Sequence, residues 1–132
     1  MSKKDLKRVT GLGGFFFKCD DPNITRDWYK NHLGIPVTQY GWNFQWKDGE
    51  GNGGSTQWSP FPATTKYFEP SEKQFMMNFR VHDLEGLLEA LKEEGVTIVG
   101  EMQSYEYGKF GWILDPDGNK IELWEPADES VL

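Results

Sequence analysis

This chain is poor in the residues that crosslink, chelate or anchor a protein. It has one cysteine, Cys19, so an intrachain disulfide is excluded. Cys19 falls in an apolar stretch and is read as a buried small hydrophobe rather than a reactive thiol. Only two histidines are present, His32 and His82. One lies near the end of an expected helix and the other just before the next, positions that suit surface or capping roles better than metal ligation. No apolar run approaches the roughly 18 residues of a membrane span. The N-terminus lacks the apolar segment of a signal peptide, so a soluble cytoplasmic protein is expected. Basic residues are also few: 14 Lys and Arg against 21 Asp and Glu give a formal charge of -7. That balance excludes nucleic acid and anionic membranes as expected partners, since both need clustered positive charge. The basic run Lys3, Lys4, Lys7 and Arg8 is short and reads as a solvated chain end.

Aromatic residues, by contrast, are abundant. They make up 15% of the chain, with six Trp and nine Phe, which argues for a packed core and leaves rings to line a pocket or interface. At 132 residues one domain is expected.

The most informative stretch runs from Lys109 to Pro126. Asp115-Pro116-Asp117-Gly118 has the residues of a tight turn: Pro presets φ at the second position, Asp bonds locally and Gly closes it. It joins the strand-like runs Phe110 to Leu114 and Lys120 to Trp124. In the second run Ile121 and Leu123 share one face, and Lys120, Glu122 and Trp124 share the other. Glu122 is thus a mid-strand carboxylate, either at the surface or aimed into a cavity.

The rest of the chain decides where that carboxylate points. Gly11 to Cys19 reads as a first strand. Asp21 and Pro22 open a helix whose buried stripe is Ile24, Trp28 and Leu33, ending near Gly34. Ile35 to Tyr40, Asn43 to Lys47 and Ser55 to Ser59 are three further strands, with Asp48 to Gly54 as a flexible hairpin loop. That Gly-rich loop is no phosphate loop, since no Gly-Lys-Ser/Thr follows. Residues 60–73 form a connector anchored by Phe61, Tyr67 and Phe68. Gln74 to Val81 starts a second series. Asp83 caps a helix with a core stripe of Leu84, Leu87, Leu88 and Leu91, and Gly95 ends it. Thr97 to Met102 and the terminal hairpin complete the series.

The halves repeat at about 62 residues, Phe17 to Asp21 lying over Phe79 to Asp83. An α+β fold is therefore expected: two tandem βαβββ modules (about 11–59 and 74–126) forming one curved mixed sheet around a cavity, helices outside.

This pattern, with its terminal Asp-Pro-Asp-Gly-Asn-Lys-Ile-Glu-Leu, resembles the vicinal oxygen chelate superfamily of glyoxalase I, bleomycin-resistance proteins, fosfomycin-resistance transferases and extradiol dioxygenases. Asp27-Trp28-Tyr29 and Leu33-Gly34-Ile35 add to the match. The resemblance covers about residues 11 to 126. It implies four ligand positions for a divalent metal, falling here at Gly14, Gln57, Met76 and Glu122. Gly14 offers no side chain and Met76 a soft thioether. Only Glu122, with Gln57 as a weak donor, keeps the pattern, so no cofactor is expected. A divalent metal on Glu122 and Gln57 is the alternative.

Strand alternation puts Gln57, Asn78, Arg80 and Glu122 on the cavity face among Phe16, Met76, Trp112 and Trp124. A few polar groups in an aromatic wall suit a small-molecule site. Arg80 and Glu122 either pair with each other, or Arg80 grips a ligand anion while Glu122 accepts a proton or hydrogen bond. Tyr105, Glu106 and Tyr107 are read as an edge strand and turn, with a pocket rim as the other possibility. Trp58, Phe61, Tyr67 and Phe68 are a second rim or a homodimer contact. The expected function is metal-independent binding or transformation of a small polar or aromatic molecule, as in bleomycin-resistance proteins. The alternatives are a metal-dependent lyase or isomerase related to glyoxalase I, and a dimeric interaction module.

Overall fold

The computed structural model describes residues 7–127. Lys3 and Lys4 of the basic run lie outside the described residues. The order of elements is β1 (Val9–Cys19), α1 (Pro22–Leu33), β2 (Trp42–Lys47), β3 (Gly53–Pro62), β4 (Phe75–Val81), α2 (Leu84–Glu93), β5 (Gln103–Tyr105), β6 (Gly108–Leu114) and β7 (Lys120–Pro126). The seven strands form one open, curved mixed sheet in the order β2-β3-β1-β4-β7-β6-β5. β1 pairs parallel with β3 and β4 pairs parallel with β7, while β1 and β4 join the halves in antiparallel fashion. This is the α+β architecture expected from the repeat.

Both helix starts follow their caps. The Asp21 carboxylate accepts from the amides of Asn23 and Ile24, and Asp83 accepts from Gly86. α1 closes on Gly34 in the left-handed region at φ 71°, where a side chain would be strained. α2 buries Leu84, Leu87 and Ala90, and the two leucines form a core with Val81 and Leu123, flanked by Leu88, Leu91, Ile113 and Ile121. Each fully buried leucine is worth about 1.5–3 kcal/mol of transfer free energy.

α1 departs from expectation. Ile24, Trp28 and Leu33 are 68%, 51% and 59% exposed rather than forming a buried stripe. Tyr29 makes the contact instead: its ring lies 4.7 Å from Trp58 and 6.2 Å from Phe17. The helix has rotated so that one aromatic residue, not an aliphatic stripe, docks on the sheet. Phe15, which alternation puts on the face of β1 opposite Phe16, is 38% exposed. Cys19 is half-buried, its thiol donating to the Phe61 carbonyl at 3.5 Å.

Two expected strands are not formed as such. Ile35 to Tyr40 contributes only a bridge from Thr38 to Gly41, because Pro36 removes a donor and Val37 bonds back to Ile35 in a tight turn. Thr97 to Met102 is reduced to a bridge at Ile98 with Ile113, ended by Gly100 at φ 69°. Pairing resumes at β5.

The two hairpin loops prove equivalent. In each, an Asp amide donates to an Asn carbonyl four residues on, and a Gly amide closes on the Asp carbonyl: Asp48, Gly51 and Asn52 in one, Asp115, Gly118 and Asn119 in the other. Both Asp carboxylates also collect the intervening amides, at 2.8–2.9 Å. The loop expected to be flexible is thus built like the terminal turn.

Candidate functional site

A single row crosses the sheet from β2 to β6. Asn43 is in register with Gln57, Gln57 with Gly14, Gly14 with Asn78, Asn78 with Glu122, and Glu122 with Trp112. The β4 residue in this row is Asn78, not Met76. Irregularities between Val9 and Gly11 and between Leu12 and Gly14 shift the β1–β4 register. Met76 pairs with Phe16 instead and is fully buried with Phe16 and Phe68, against Phe61 and Trp112.

Glu122 is 3% exposed. Its Oε1 accepts from Asn78 Nδ2 at 2.6 Å and its Oε2 from Trp112 Nε1 at 2.9 Å. A third hydrogen bond to the carboxylate, the second at Oε2, comes from the hydroxyl of Tyr67. A buried carboxylate is tolerable only when donors surround it, and three neutral ones do so here. The ion pair with Arg80, one of the two readings open in the sequence, is not what satisfies this group.

Tyr67 comes from the connector. Its neighbour Phe68 is fully buried and anchors the segment over the sheet. The Tyr67 ring stacks on Phe61 at 6.0 Å and meets the edge of Trp112 at 6.3 Å. Lys120 completes the group: its Nζ donates to the Tyr67 carbonyl at 2.7 Å and lies 5.2 Å and 5.7 Å from the Tyr67 and Trp112 ring centroids. Burial pushes the Tyr67 hydroxyl well above its ordinary pKa, and the Glu122 charge adds to the effect. Burial lowers the Lys120 ammonium, against the opposing pull of Glu122 and Glu69.

Asn78 is 2% exposed, and its Oδ1 is buried without a hydrogen-bond partner. A Cβ on Gly13 would collide with this oxygen, and one on Gly14 would come within 2.8 Å of the Phe16 ring. The two glycines give the site its close approach of β1 to β4.

The remaining expected residues lie in two other groups. Arg80, 3% exposed, sits between two indoles, 5.1 Å from Trp124 and 5.9 Å from Trp46. Trp124 continues the stack onto Phe110 at 6.1 Å, with Tyr107 alongside Phe110. Gln57 is turned toward β2: its Nε2 donates to the Tyr40 carbonyl and Ser59 Oγ, and its Oε1 accepts from Asn43. The structure thus brings Glu122, Asn78 and Trp112 together with Phe16 nearby, and sets Arg80 with Trp124, and Gln57, apart from them.

Sequence reasoning offered Tyr67 only as a rim or homodimer contact, put Lys120 on the face of Glu122 without giving it a part in the site, and missed Trp46. The alternation that placed Glu122 on this face placed Lys120 there too. Nothing local in the connector marked Tyr67 as a partner for a carboxylate 55 residues away.

The row does not fit a divalent metal. Gly14 brings no donor, Gln57 Oε1 and both Glu122 oxygens are already accepting, and the single unused oxygen, Asn78 Oδ1, is too few for a divalent ion. Among the described residues no three His, Cys, Asp or Glu side chains come together as a metal cluster. Nor is any helix there long and apolar enough to cross a membrane.

Comparison with known proteins agrees with this architecture. Residues 11–123 match the Glyoxalase/Bleomycin resistance protein/Dioxygenase superfamily. No curated protein matches the chain. Among solved structures, methylmalonyl-CoA epimerase from Mycobacterium tuberculosis is similar at 21% identity and a TM-score of 0.61, over 99% of this chain and 96% of that one. A Streptomyces coelicolor methylmalonyl-CoA epimerase variant bound to 2-nitronate-propionyl-CoA gives 15% identity and a TM-score of 0.68, over 91% and 99%. A superfamily member from Vibrio splendidus 12B01 gives 19% and 0.53, over 91% and 98%. At these identities the likeness is one of fold. From the match over residues 11–123 and the sheet that carries them, the chain belongs to the Glyoxalase/Bleomycin resistance protein/Dioxygenase superfamily.

Proposed function

We propose that this chain binds a small hydroxylated aromatic molecule on the concave face of the sheet, without a metal. Glu122 accepts the ligand's hydroxyl or N–H at the position where the Tyr67 hydroxyl donates in the free protein. The observation that supports this is the setting of Tyr67. It is 40% exposed, yet its hydroxyl reaches a carboxylate that is 3% exposed, and its ring lies between Phe61 and Trp112. A phenol group on Glu122 flanked by aromatic rings is an internal copy of such a ligand. Asn78 and Trp112 stay in place to hold the carboxylate, and Phe16 and Met76 supply the apolar floor.

The family permits catalysis, and a metal-dependent lyase or isomerase remains the competing reading. Metal analysis of the purified protein, with thermal shifts in Ni²⁺, Zn²⁺ and Mn²⁺, separates the two. Stoichiometric metal with a shift of several degrees would overturn the metal-independent reading. A thermal-shift screen of phenols, indoles and small carboxylates tests the ligand class, and loss of each effect in Glu122→Gln is the expected outcome. A homodimer is also proposed, with exposed Ile24, Trp28 and Leu33 on α1 as available apolar surface; sedimentation measures it.

A further inference from the structure

A second concavity lies at the other end of the sheet. It has a volume of about 540 Å³ and is lined by Thr38, Tyr40, Trp42, Asn43, Phe44, Gln45 and Gln57 around buried Gly41. This size is in the usual range for small-molecule sites.

The lining has three properties that together define a ligand. First, among the described residues its lining contains no Asp, Glu, Lys or Arg, although such residues make up 27% of the chain. A charged ligand would find no counter-ion there. Second, it offers a flat ring surface, since Tyr40 is 74% exposed. Third, it carries side-chain amides, each a donor and an acceptor side by side. One of these is fixed in advance. Gln57 Nε2 donates to the Tyr40 carbonyl at 2.8 Å and to Ser59 Oγ at 3.1 Å, while Gln57 Oε1 accepts from Asn43 Nδ2 at 3.1 Å. Asn43 Oδ1 and the exposed Gln45 amide are thereby left toward the groove.

The wall that Tyr40 belongs to is also built. Thr38 and Gly41 exchange backbone hydrogen bonds at 2.8 Å and 3.0 Å, and Thr38 Oγ1 accepts from the Tyr40 amide at 3.1 Å. Gly41 lies at φ 95°, and a Cβ there would collide with the Trp58 carbonyl. The turn thus stands where the second strand, Ile35 to Tyr40, was expected, and it frames the groove instead of filling it.

We propose that this groove is a binding site for an uncharged ring with hydrogen-bond donors and acceptors on its rim. A ring face stacks on Tyr40, and the rim bonds Asn43 and Gln45, which share one face of β2. A pyranose and a neutral nitrogen heterocycle share this chemistry. The site does not depend on the reading of Glu122, from which Gly14 and Asn78 separate it in the sheet row.

The test is a titration of the isotope-labelled protein with uncharged monosaccharides in one arm and with uracil, nicotinamide and adenine in the other. Side-chain amide signals of Asn43, Gln45 and Gln57 and the Trp42 indole are followed by NMR. Saturable shifts at these positions are expected in one arm, which names the source. Tyr40→Ala and Gln45→Ala, both at exposed positions, should each weaken binding about tenfold, while Glu122→Gln leaves it unchanged. Circular dichroism confirms that the variants fold. No saturable shift in either arm overturns the proposal. So do shifts that centre on Trp112, or affinities that neither Tyr40→Ala nor Gln45→Ala alters.

Discussion

The hydroxyl of Tyr67 donates to Glu122 Oε2, so the connector between the two modules ends chemically on the carboxylate of the last strand. That oxygen also takes the Trp112 indole at 2.9 Å, and the other takes Asn78 at 2.6 Å. Tyr67 is the solvent-side member of the set at 40% exposure. Asn78, at 2%, is the inner one.

Tyr67→Phe removes the one donor that water can replace. We expect a loss of about 1–2 kcal/mol, at the lower end for a hydrogen bond to a charged group because of that exposure. Urea unfolding followed by tryptophan fluorescence measures it.

Glu122→Leu should cost more, on the order of 3 kcal/mol or above, since it leaves the Asn78 amide and Trp112 N–H buried without an acceptor. Glu122→Gln keeps an acceptor and should cost less. Equal losses in the two variants would contradict the network.

Alkaline pH provides a third check. Tyr67 is raised in the folded state, so the stability it contributes is complete below its ordinary pKa of about 10 and is lost as pH rises beyond that. Lys120 is lowered, so its contribution has the opposite sign. It improves as pH rises from the lowered folded value toward the ordinary value of about 10.4. Urea midpoints between roughly pH 8 and pH 11 should fall less steeply at the alkaline end in Tyr67→Phe than in the wild type. In Lys120→Met they should fall more steeply.

Gly13→Ala drives a methyl into Asn78 Oδ1. The Asn78 side chain must shift from Glu122, and a loss of about 1–3 kcal/mol is expected from overpacking. Gly49→Ala, where a Cβ meets nothing within 4 Å, serves as the control and should change little.

What could be read beforehand divides by range. Period-two alternation on β4 and β7 placed Asn78, Arg80 and Glu122 on one face, and the turn residues Asp115 to Gly118 located the terminal hairpin. Those are local signals. The Asp-x-x-Gly-Asn spacing shared by Asp48 to Asn52 and Asp115 to Asn119 was equally local and went unread, though it marks the two hairpins as equivalent. α1 misled because apolar spacing says which residues share a face, not which face meets the sheet; Tyr29 decided that. Tyr67 and Trp46 were illegible for a different reason. Trp46 meets Arg80 across the sheet and Tyr67 reaches Glu122 from the connector above it, so only the folded chain brings these pairs together. The one-residue irregularities in β1, which exchange Met76 for Asn78 in the row, have no sequence mark beyond Gly11, Gly13 and Gly14.

The account stands or falls on competition between Tyr67 and a ligand for Glu122. Calorimetric titration of phenol, catechol and indole into wild type, Tyr67→Phe and Glu122→Gln, in the presence of a chelator, measures it directly. The account predicts binding that tightens about tenfold in Tyr67→Phe and is lost in Glu122→Gln, with the chelator making no difference. Affinities indifferent to both substitutions, or binding that appears only when a divalent metal is added, would contradict it.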